Sequence, residues 1–110
     1  MKMTVYYYSG TGNSLWTAQT IADSFEKSKI INMTDDFVEE PSEIVGFVFP
    51  VHIWEVPHRV IEFINKLNFG SSTYYFAVAV NAGQVSRTLI QFKSLLKKRG
   101  AHLSLGYDIV

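Results

Sequence analysis

The apolar residues of the chain follow two patterns. Four segments contain short apolar runs, at residues 5–8, 29–33, 44–49 and 74–80, and the last two of these runs are nearly continuous. Such runs predict β-strands, and the last two predict central parallel strands covered on both faces. A final segment alternates apolar with polar or small residues, with Leu103, Leu105, Tyr107 and Ile109 as its apolar positions. That alternation predicts an edge strand with one wetter face.

Three other segments place apolar residues at steps of three and four, which predicts helices with one buried stripe. The stripes consist of Leu15, Ala18, Ala22 and Phe25; Val60, Ile61, Ile64 and Leu67; and Leu89, Phe92, Leu95 and Leu96. Pro57 precedes the second stripe, at a position where its missing N–H costs little. Lys97, Lys98 and Arg99 and then Gly100 follow the third stripe, which suits a helix C-terminus.

The order of these elements is strand, helix, strand, strand, helix, strand, helix, strand. It predicts an α/β fold with a parallel sheet and right-handed crossovers. About ten residues link the second and third strands, and at ~3.3 Å each they cross one intervening strand but hardly hold a helix. One crossover helix is therefore expected to be missing. A length of 110 residues predicts a single domain, residues 1–110.

The composition limits the kinds of partner and reaction that the chain can have. With 47% hydrophobic and 18% charged residues, the chain is expected to fold as a globule. Its ten basic and ten acidic residues balance, so neither nucleic acid nor a membrane surface is expected as a partner. The lack of cysteine excludes disulfides, thiolate metal sites and an iron–sulfur cluster on this chain, so redox chemistry needs a bound cofactor. The start does not have the pattern of a secretory signal, and a cytoplasmic location is expected.

The segments after the first, third and fourth strands are candidates for a ligand site, since open α/β sheets bind ligands beyond the carboxyl ends of their strands. The first is Ser9-Gly10-Thr11-Gly12-Asn13-Ser14. Its glycines let backbone N–H groups turn inward, its hydroxyls donate, and the following helix dipole favours an anion. It lacks the lysine of a Walker loop and the third glycine of a dinucleotide fingerprint. A phosphate cradle and a plain turn with a capped helix both fit these residues.

Residues 8–14 resemble the FMN phosphate loop of the flavodoxin superfamily, in particular the flavodoxin domains of the ferredoxin-fused EFR1 type. Residues 46–57, with a tryptophan flanked by prolines, resemble that family's second flavin loop, and residues 81–83 its third. The resemblance covers the whole chain. It implies a flavodoxin-like doubly wound parallel sheet of five strands in the order 2-1-3-4-5, with three main helices and the final helix absent.

The resemblance also implies which residues bind FMN. Phosphate ligands would come from Ser9, Gly10, Thr11, Gly12, Asn13 and Ser14. Trp54 would stack on the isoalloxazine ring, in a second loop that also contains Pro50, Val51, His52 and Glu55. Asn81, Ala82, Gly83 and Gln84 would meet the polar edge of the ring. Glu55 stands where relatives tend to have glycine. Ala82 and Gly83 stand where relatives often have two glycines in a row. No catalytic side chain and no metal ion are implied.

The function that follows is an FMN electron carrier with a redox protein partner, ferredoxin-like or a reductase. Two alternatives are an FMN-dependent NAD(P)H:quinone or flavin reductase, and a cofactor-free scaffold of the same topology. The last helix of flavodoxins covers one sheet face, so a chain without it is either truncated or covered by a neighbour. An uncovered apolar face would favour a homodimer.

Overall fold

The computed structural model describes residues 2–8, 13–37, 39, 42–51, 56–70, 72–80 and 86–109. These residues form five strands and three helices, in the order that the apolar pattern predicts. In chain order they are β1 (Met3–Tyr7), α1 (Asn13–Asp23), β2 (Ser28–Asn32), β3 (Ile44–Pro50), α2 (His58–Lys66), β4 (Tyr74–Val80), α3 (Ser86–Lys98) and β5 (Leu103–Ile109).

The strands form one sheet in the order β2-β1-β3-β4-β5, and every neighbouring pair is parallel. This is the flavodoxin-like order 2-1-3-4-5 that the resemblance implies, with β3 and β4 inside the sheet and β5 at an edge. After β1 the chain turns to β2 on one side, and β3 lies on the other side of β1. The topological switch point, where such sheets bind ligands, therefore lies between β1 and β3.

The two faces of the sheet are covered unequally. One face, here called the α1 face, carries α1, which packs chiefly over β1, β2 and β3. Its core is formed by Met3, Val5, Ala18, Val48, Phe76, Val78 and Val80. The opposite face carries α2 and α3 over a larger core with many aromatic side chains, among them Phe47, Phe49, Phe63 and Phe92.

Phe37 fills the place of the missing crossover helix. No helix occurs between β2 and β3 among the residues described there, and Phe37 packs against the aromatic core instead. The ring centroid of Phe37 lies 5.5 Å from that of Tyr6 and 5.6 Å from that of Phe63. Such tilted contacts are favourable for aromatic pairs. One side chain thus does part of the covering that a helix usually provides.

The buried side of α1 contains two of the four residues of the predicted stripe, Ala18 and Ala22. Leu15 is partly exposed, and Phe25 lies beyond the end of the helix and is also exposed. The buried positions are Ser14, Thr17, Ala18 and Ala22, which keep the spacing of three and four. Their small side chains let the helix approach the sheet closely. The prediction is therefore confirmed at Ala18 and Ala22 and wrong at Leu15 and Phe25, because the small residues Ser14 and Thr17 take part in the contact instead.

A register shift divides β5 between the two faces. Leu103 pairs with Tyr75, but Leu105 pairs with Phe76, so one extra residue enters β5 between these pairs. Leu103 therefore joins the core under α3, whereas Leu105 and Tyr107 point to the α1 face. The expectation that the alternating apolar residues of β5 share one face is wrong, because a bulge of this kind redirects every residue on one side of it.

Both predicted helix ends are found. Pro57 is the N-cap of α2 with φ −56°, and its carbonyl accepts the N–H groups of Val60 and Ile61 at 3.0 and 3.1 Å. Gly100 follows α3 with φ +79°, the left-handed conformation that glycine adopts at little cost.

Candidate functional site

The carboxyl ends of β1, β3 and β4 lie side by side at one edge of the sheet. Tyr7 is in register with Val48, and Pro50 with Val80. The N–H of Tyr8 donates to the carbonyl of Val48 at 2.9 Å, and the N–H of Val51 donates to the carbonyl of Val80 at 3.1 Å. The ladder thus continues one residue past the ends of β1 and β3. The three segments that the sequence singles out all start from this edge, here called the carboxyl edge.

All three helices begin at the same edge, because each follows one of these segments. The first turns of α1, α2 and α3 contain no acidic residue. Free N–H groups and the aligned peptide dipoles give a helix N-terminus a partial positive charge, which an acidic side chain would offset. The described part of the carboxyl edge therefore suits an anionic group, with the first segment between β1 and α1 closest to the switch point.

Four of the predicted cofactor residues lie within the described part of the chain. Asn13 begins α1, and Ser14 is buried in its first turn. Pro50 ends β3, and Val51 packs against the aromatic core beside it. The other eleven lie outside the described residues: Ser9, Gly10, Thr11, Gly12, His52, Trp54, Glu55, Asn81, Ala82, Gly83 and Gln84.

Gln91 of α3 holds one end of the second segment. The sequence pattern did not identify it as a site residue. The N–H of Val56 donates to Oε1 of Gln91 at 2.8 Å, and Val56 is buried. This bond ties the residue after Glu55 to α3. Gln91 lies three residues after the buried Thr88 and four before Leu95, so it is a polar residue within the apolar stripe of α3. A polar residue within an otherwise apolar stripe is the sequence feature that could have indicated this role.

The basic cluster Lys97, Lys98 and Arg99 is remote from this edge. It ends α3, which runs from the carboxyl edge to the opposite edge of the sheet. Nη2 of Arg99 donates to the carbonyl of Leu67 at 2.9 Å, and its guanidinium lies 5.9 Å from the ring centroid of Phe69. These contacts, together with charges that suit a helix C-terminus, give the cluster a structural role.

The described part of the chain contains neither a metal-binding cluster nor a membrane-spanning helix. No group of three or more His, Cys, Asp or Glu residues there is placed to hold a metal ion. None of the described helices has the length and apolar character needed to traverse a lipid bilayer.

Comparison with solved structures identifies the fold. A flavoprotein of Lactobacillus acidophilus NCFM in complex with FMN superposes with a TM-score of 0.79 at 12% identity, covering 97% of this chain and 92% of its own. A proposed flavoprotein of Bacteroides uniformis gives 0.78 at 13% identity, covering 97% and 88%. An azoreductase of Bacillus anthracis gives 0.64 at 8% identity, covering 97% and 85%.

At these identities the comparison defines the class of fold, and the chain has a flavodoxin-like fold. No protein-family model matches the sequence, and no curated protein matches it.

Proposed function

We propose that this protein binds FMN at the carboxyl edge of its sheet and carries electrons through it. One observation carries the proposal: the segments that resemble the three flavin loops start from the adjacent, registered ends of β1, β3 and β4. Strand ends that are far apart in sequence thereby lie next to one another. The structural relative crystallised with FMN supports the same choice of ligand.

In this proposal the residues at the start of α1 bind the phosphate. Ser9, Thr11, Asn13 and Ser14 would donate hydrogen bonds, together with backbone N–H groups around Gly10 and Gly12. The first turn of α1 adds the partial positive charge of a helix N-terminus and has no acidic residue to oppose it. The phosphate would thus be held without a lysine.

The second and third segments would hold the ring. Trp54 would cover one side of the isoalloxazine and exclude water, while Gln91 fixes the far end of that segment through Val56. Backbone groups at residues 81–84 would meet the polar edge of the ring. FMN supplies the one- or two-electron chemistry, and the protein positions it and sets its surroundings.

The electron partner would approach the carboxyl edge, where the ring would lie. A ferredoxin-like protein or a reductase fits the resemblance to ferredoxin-fused flavodoxins. The basic cluster at the end of α3 is a poor docking point for such a partner, since it lies at the opposite edge of the sheet.

A titration of the purified protein with FMN, followed by quenching of flavin fluorescence, tests the proposal. Saturable binding is expected. Trp54→Ala should weaken it at least about tenfold, since aromatic pairing contributes about 1 kcal/mol beyond the lost area. Trp16→Phe is the matched control, because Trp16 is the only other tryptophan and lies on α1. If FMN does not bind, the cofactor-free scaffold becomes the better interpretation.

A flavin-dependent reductase is the second candidate, favoured by the likeness in fold to an azoreductase. The FMN-loaded protein would be mixed with NADH or NADPH and a quinone, and quinone reduction followed spectrophotometrically. A carrier should show no sustained turnover with these small molecules but should exchange electrons with a reduced ferredoxin. Multiple turnovers with the nicotinamide donor would identify an enzyme instead.

A further inference from the structure

The end of α3 and the starts of β4 and β5 form an open pocket at the edge of the sheet opposite the carboxyl edge, here called the amino-edge pocket. Its volume is about 730 Å³, within the range of ~300–1,000 Å³ that is typical of ligand sites. The residues that line it include Ser72, Lys93, Lys97, His102 and Ser104. Since β5 begins at this pocket and leads the chain away from it, the pocket lies apart from the proposed FMN site.

The ionisable side chains of this pocket that extend from α3 and from the turn into β5 are all basic. Lys93 and Lys97 belong to α3, and His102 precedes β5. None of the described residues that line the pocket is acidic. Within the part of the chain that the structure describes, these three residues take part in no ion pair. All three are exposed, so their donor groups are open to a ligand from solution.

The stability of α3 does not account for Lys93. Lys97 lies in the last turn, where a cation complements the helix dipole, but Lys93 lies one turn earlier. Like charges four residues apart on a helix repel and destabilise it, whereas an acidic residue at position 93 would have stabilised Lys97. A negatively charged ligand would offset this repulsion.

The bulge in β5 adds hydrogen-bonding groups to the pocket. Ser104 is the extra residue, since Leu103 and Leu105 pair with consecutive residues of β4. The backbone groups of such a residue are left out of the ladder, and its hydroxyl can donate a hydrogen bond. Ser72 supplies a second hydroxyl from the turn before β4. Hydroxyl donors thus stand beside ammonium groups, a combination that suits phosphoryl oxygens.

The C-terminus of α3 opposes an anion only weakly. The carbonyl of Leu96 accepts the N–H groups of Arg99 and Ala101, both at 2.9 Å, and that of Lys97 accepts the N–H of Gly100 at 3.0 Å. These bonds use carbonyl oxygens that would otherwise give the helix end its partial negative charge. The basic side chains therefore dominate the charge of the pocket.

We infer that the amino-edge pocket binds a diphosphate group. Lys93 and Lys97 start one helical turn apart, with about 5–6 Å between Cβ atoms at this spacing. Both ammonium groups can therefore reach a ligand that carries its negative charge on two adjacent tetrahedral groups. His102 would donate to it from the other wall. A single carboxylate would leave part of the positive charge unmatched.

The contacts of Arg99 favour a small anion over an acidic protein surface. An extended acidic partner would need the whole basic cluster, but Arg99 already donates to the carbonyl of Leu67 and packs on Phe69. Lys98 is not one of the residues that line the pocket. The available cations are those within the depression. Free pyrophosphate and a nucleoside diphosphate share the chemistry that they recognise.

Isothermal titration calorimetry of the whole chain with pyrophosphate tests the inference. It is done at about 150 mM NaCl, where charges more than ~8 Å apart are largely screened. Saturable binding is expected. Lys93→Gln and Lys97→Gln, made separately, should each raise the dissociation constant at least about threefold, and the double variant at least about tenfold. Glutamine keeps the helix propensity of lysine, and circular dichroism would verify the fold.

Lys98→Gln is the matched control. It removes the same charge from the same end of α3 but not from the pocket, so it should change the dissociation constant less than about 1.5-fold. Equal weakening by Lys98→Gln and Lys93→Gln would indicate a diffuse basic surface and overturn the inference. The absence of saturable binding would also overturn it, as would inorganic phosphate that binds as tightly as pyrophosphate.

ADP distinguishes the two sources of the diphosphate group. Tighter binding of ADP than of pyrophosphate would identify a nucleoside diphosphate as the ligand, and weaker binding would identify the free anion. Both results agree with a diphosphate site, provided that Lys93→Gln weakens the binding.

The titration is repeated with FMN-loaded protein. Because the two sites lie at opposite edges of the sheet, pyrophosphate should bind equally well, and competition between pyrophosphate and FMN would overturn the inference. Failure of FMN to bind contradicts only the proposed function, and failure of pyrophosphate to bind contradicts only this inference.

Discussion

Gly46 shows how one missing side chain determines a core. It lies in β3 opposite Phe76 of β4, and the phenyl ring extends over it. A Cβ added to Gly46 would stand 2.1 Å from Cζ of Phe76. No atom can be accommodated at that distance, so the ring of Phe76 can occupy this position only because residue 46 is glycine.

Gly46→Ala should therefore lower the free energy of unfolding by about 3 kcal/mol, at the upper end for overpacking a core. Urea denaturation at 25 °C measures it. Gly100→Ala is the control, because it meets nothing within 4 Å and costs only the left-handed backbone at φ +79°, about 1 kcal/mol. Adding Phe76→Leu should recover part of the loss at Gly46. Equal losses for the two glycine variants would contradict this account.

Gln91 offers a test of positioning at the candidate site. Gln91→Met keeps the length of the side chain but removes the acceptor for the buried N–H of Val56, which costs about 1–2 kcal/mol. We expect weaker FMN binding, by about three- to tenfold, as residues 52–55 lose their anchor.

Gln91→Glu retains an acceptor oxygen and should restore most of the affinity in the same fluorescence titration. Stability is measured in parallel by urea denaturation. Loss of stability with unchanged FMN affinity in Gln91→Met would limit the residue to a structural role.

At the scale of elements, the connection between β2 and β3 replaces a helix with a short segment. Phe37 packs on Tyr6 and Phe63. Farther along, Glu39 accepts hydrogen bonds from the backbone N–H and the side-chain amide of Asn68 at 2.9 and 2.7 Å. The connection is thus fastened to the segment after α2 as well as to the aromatic core.

Phe37→Ala should lower the free energy of unfolding by about 2–3 kcal/mol, less than the ~3–5 kcal/mol of a fully buried phenylalanine, because the ring is only half buried. Phe25→Ala is the control, since Phe25 is 43% exposed after α1 and belongs to neither core cluster, so it should cost less, about 1 kcal/mol. Thermal or urea unfolding compares them. Similar losses would mean that Phe37 does not serve as a cover for the core.

At the scale of the whole molecule, binding at the carboxyl edge should stabilise the fold. FMN at about 100 times its dissociation constant adds ~2.7 kcal/mol, which should raise Tm by about 10 °C or more for a chain of this size. Riboflavin lacks the phosphate and should raise Tm much less at the same concentration. Equal shifts for the two ligands would argue against a phosphate site at the start of α1.

The sequence by itself determined the number, type and order of the elements. Apolar periodicity is local and has a different period in strands and helices, and Pro57 and Gly100 mark helix ends through their own backbone preferences. The segment at residues 8–14 also suggested an anion site, since glycine and hydroxyl chemistry is likewise local. These features depend on near neighbours in the chain.

Only the tertiary structure decided the rest. Three features depend on residues that are distant in sequence. They are the side of α1 that is buried, the bulge that turns Leu105 and Tyr107 to the α1 face, and the hydrogen bond from Val56 to Gln91. The adjacency of the ends of β1, β3 and β4 at the carboxyl edge depends on such residues as well. Several arrangements satisfy the same local pattern, and contacts between distant residues decide which of them forms. The local pattern therefore cannot predict the result.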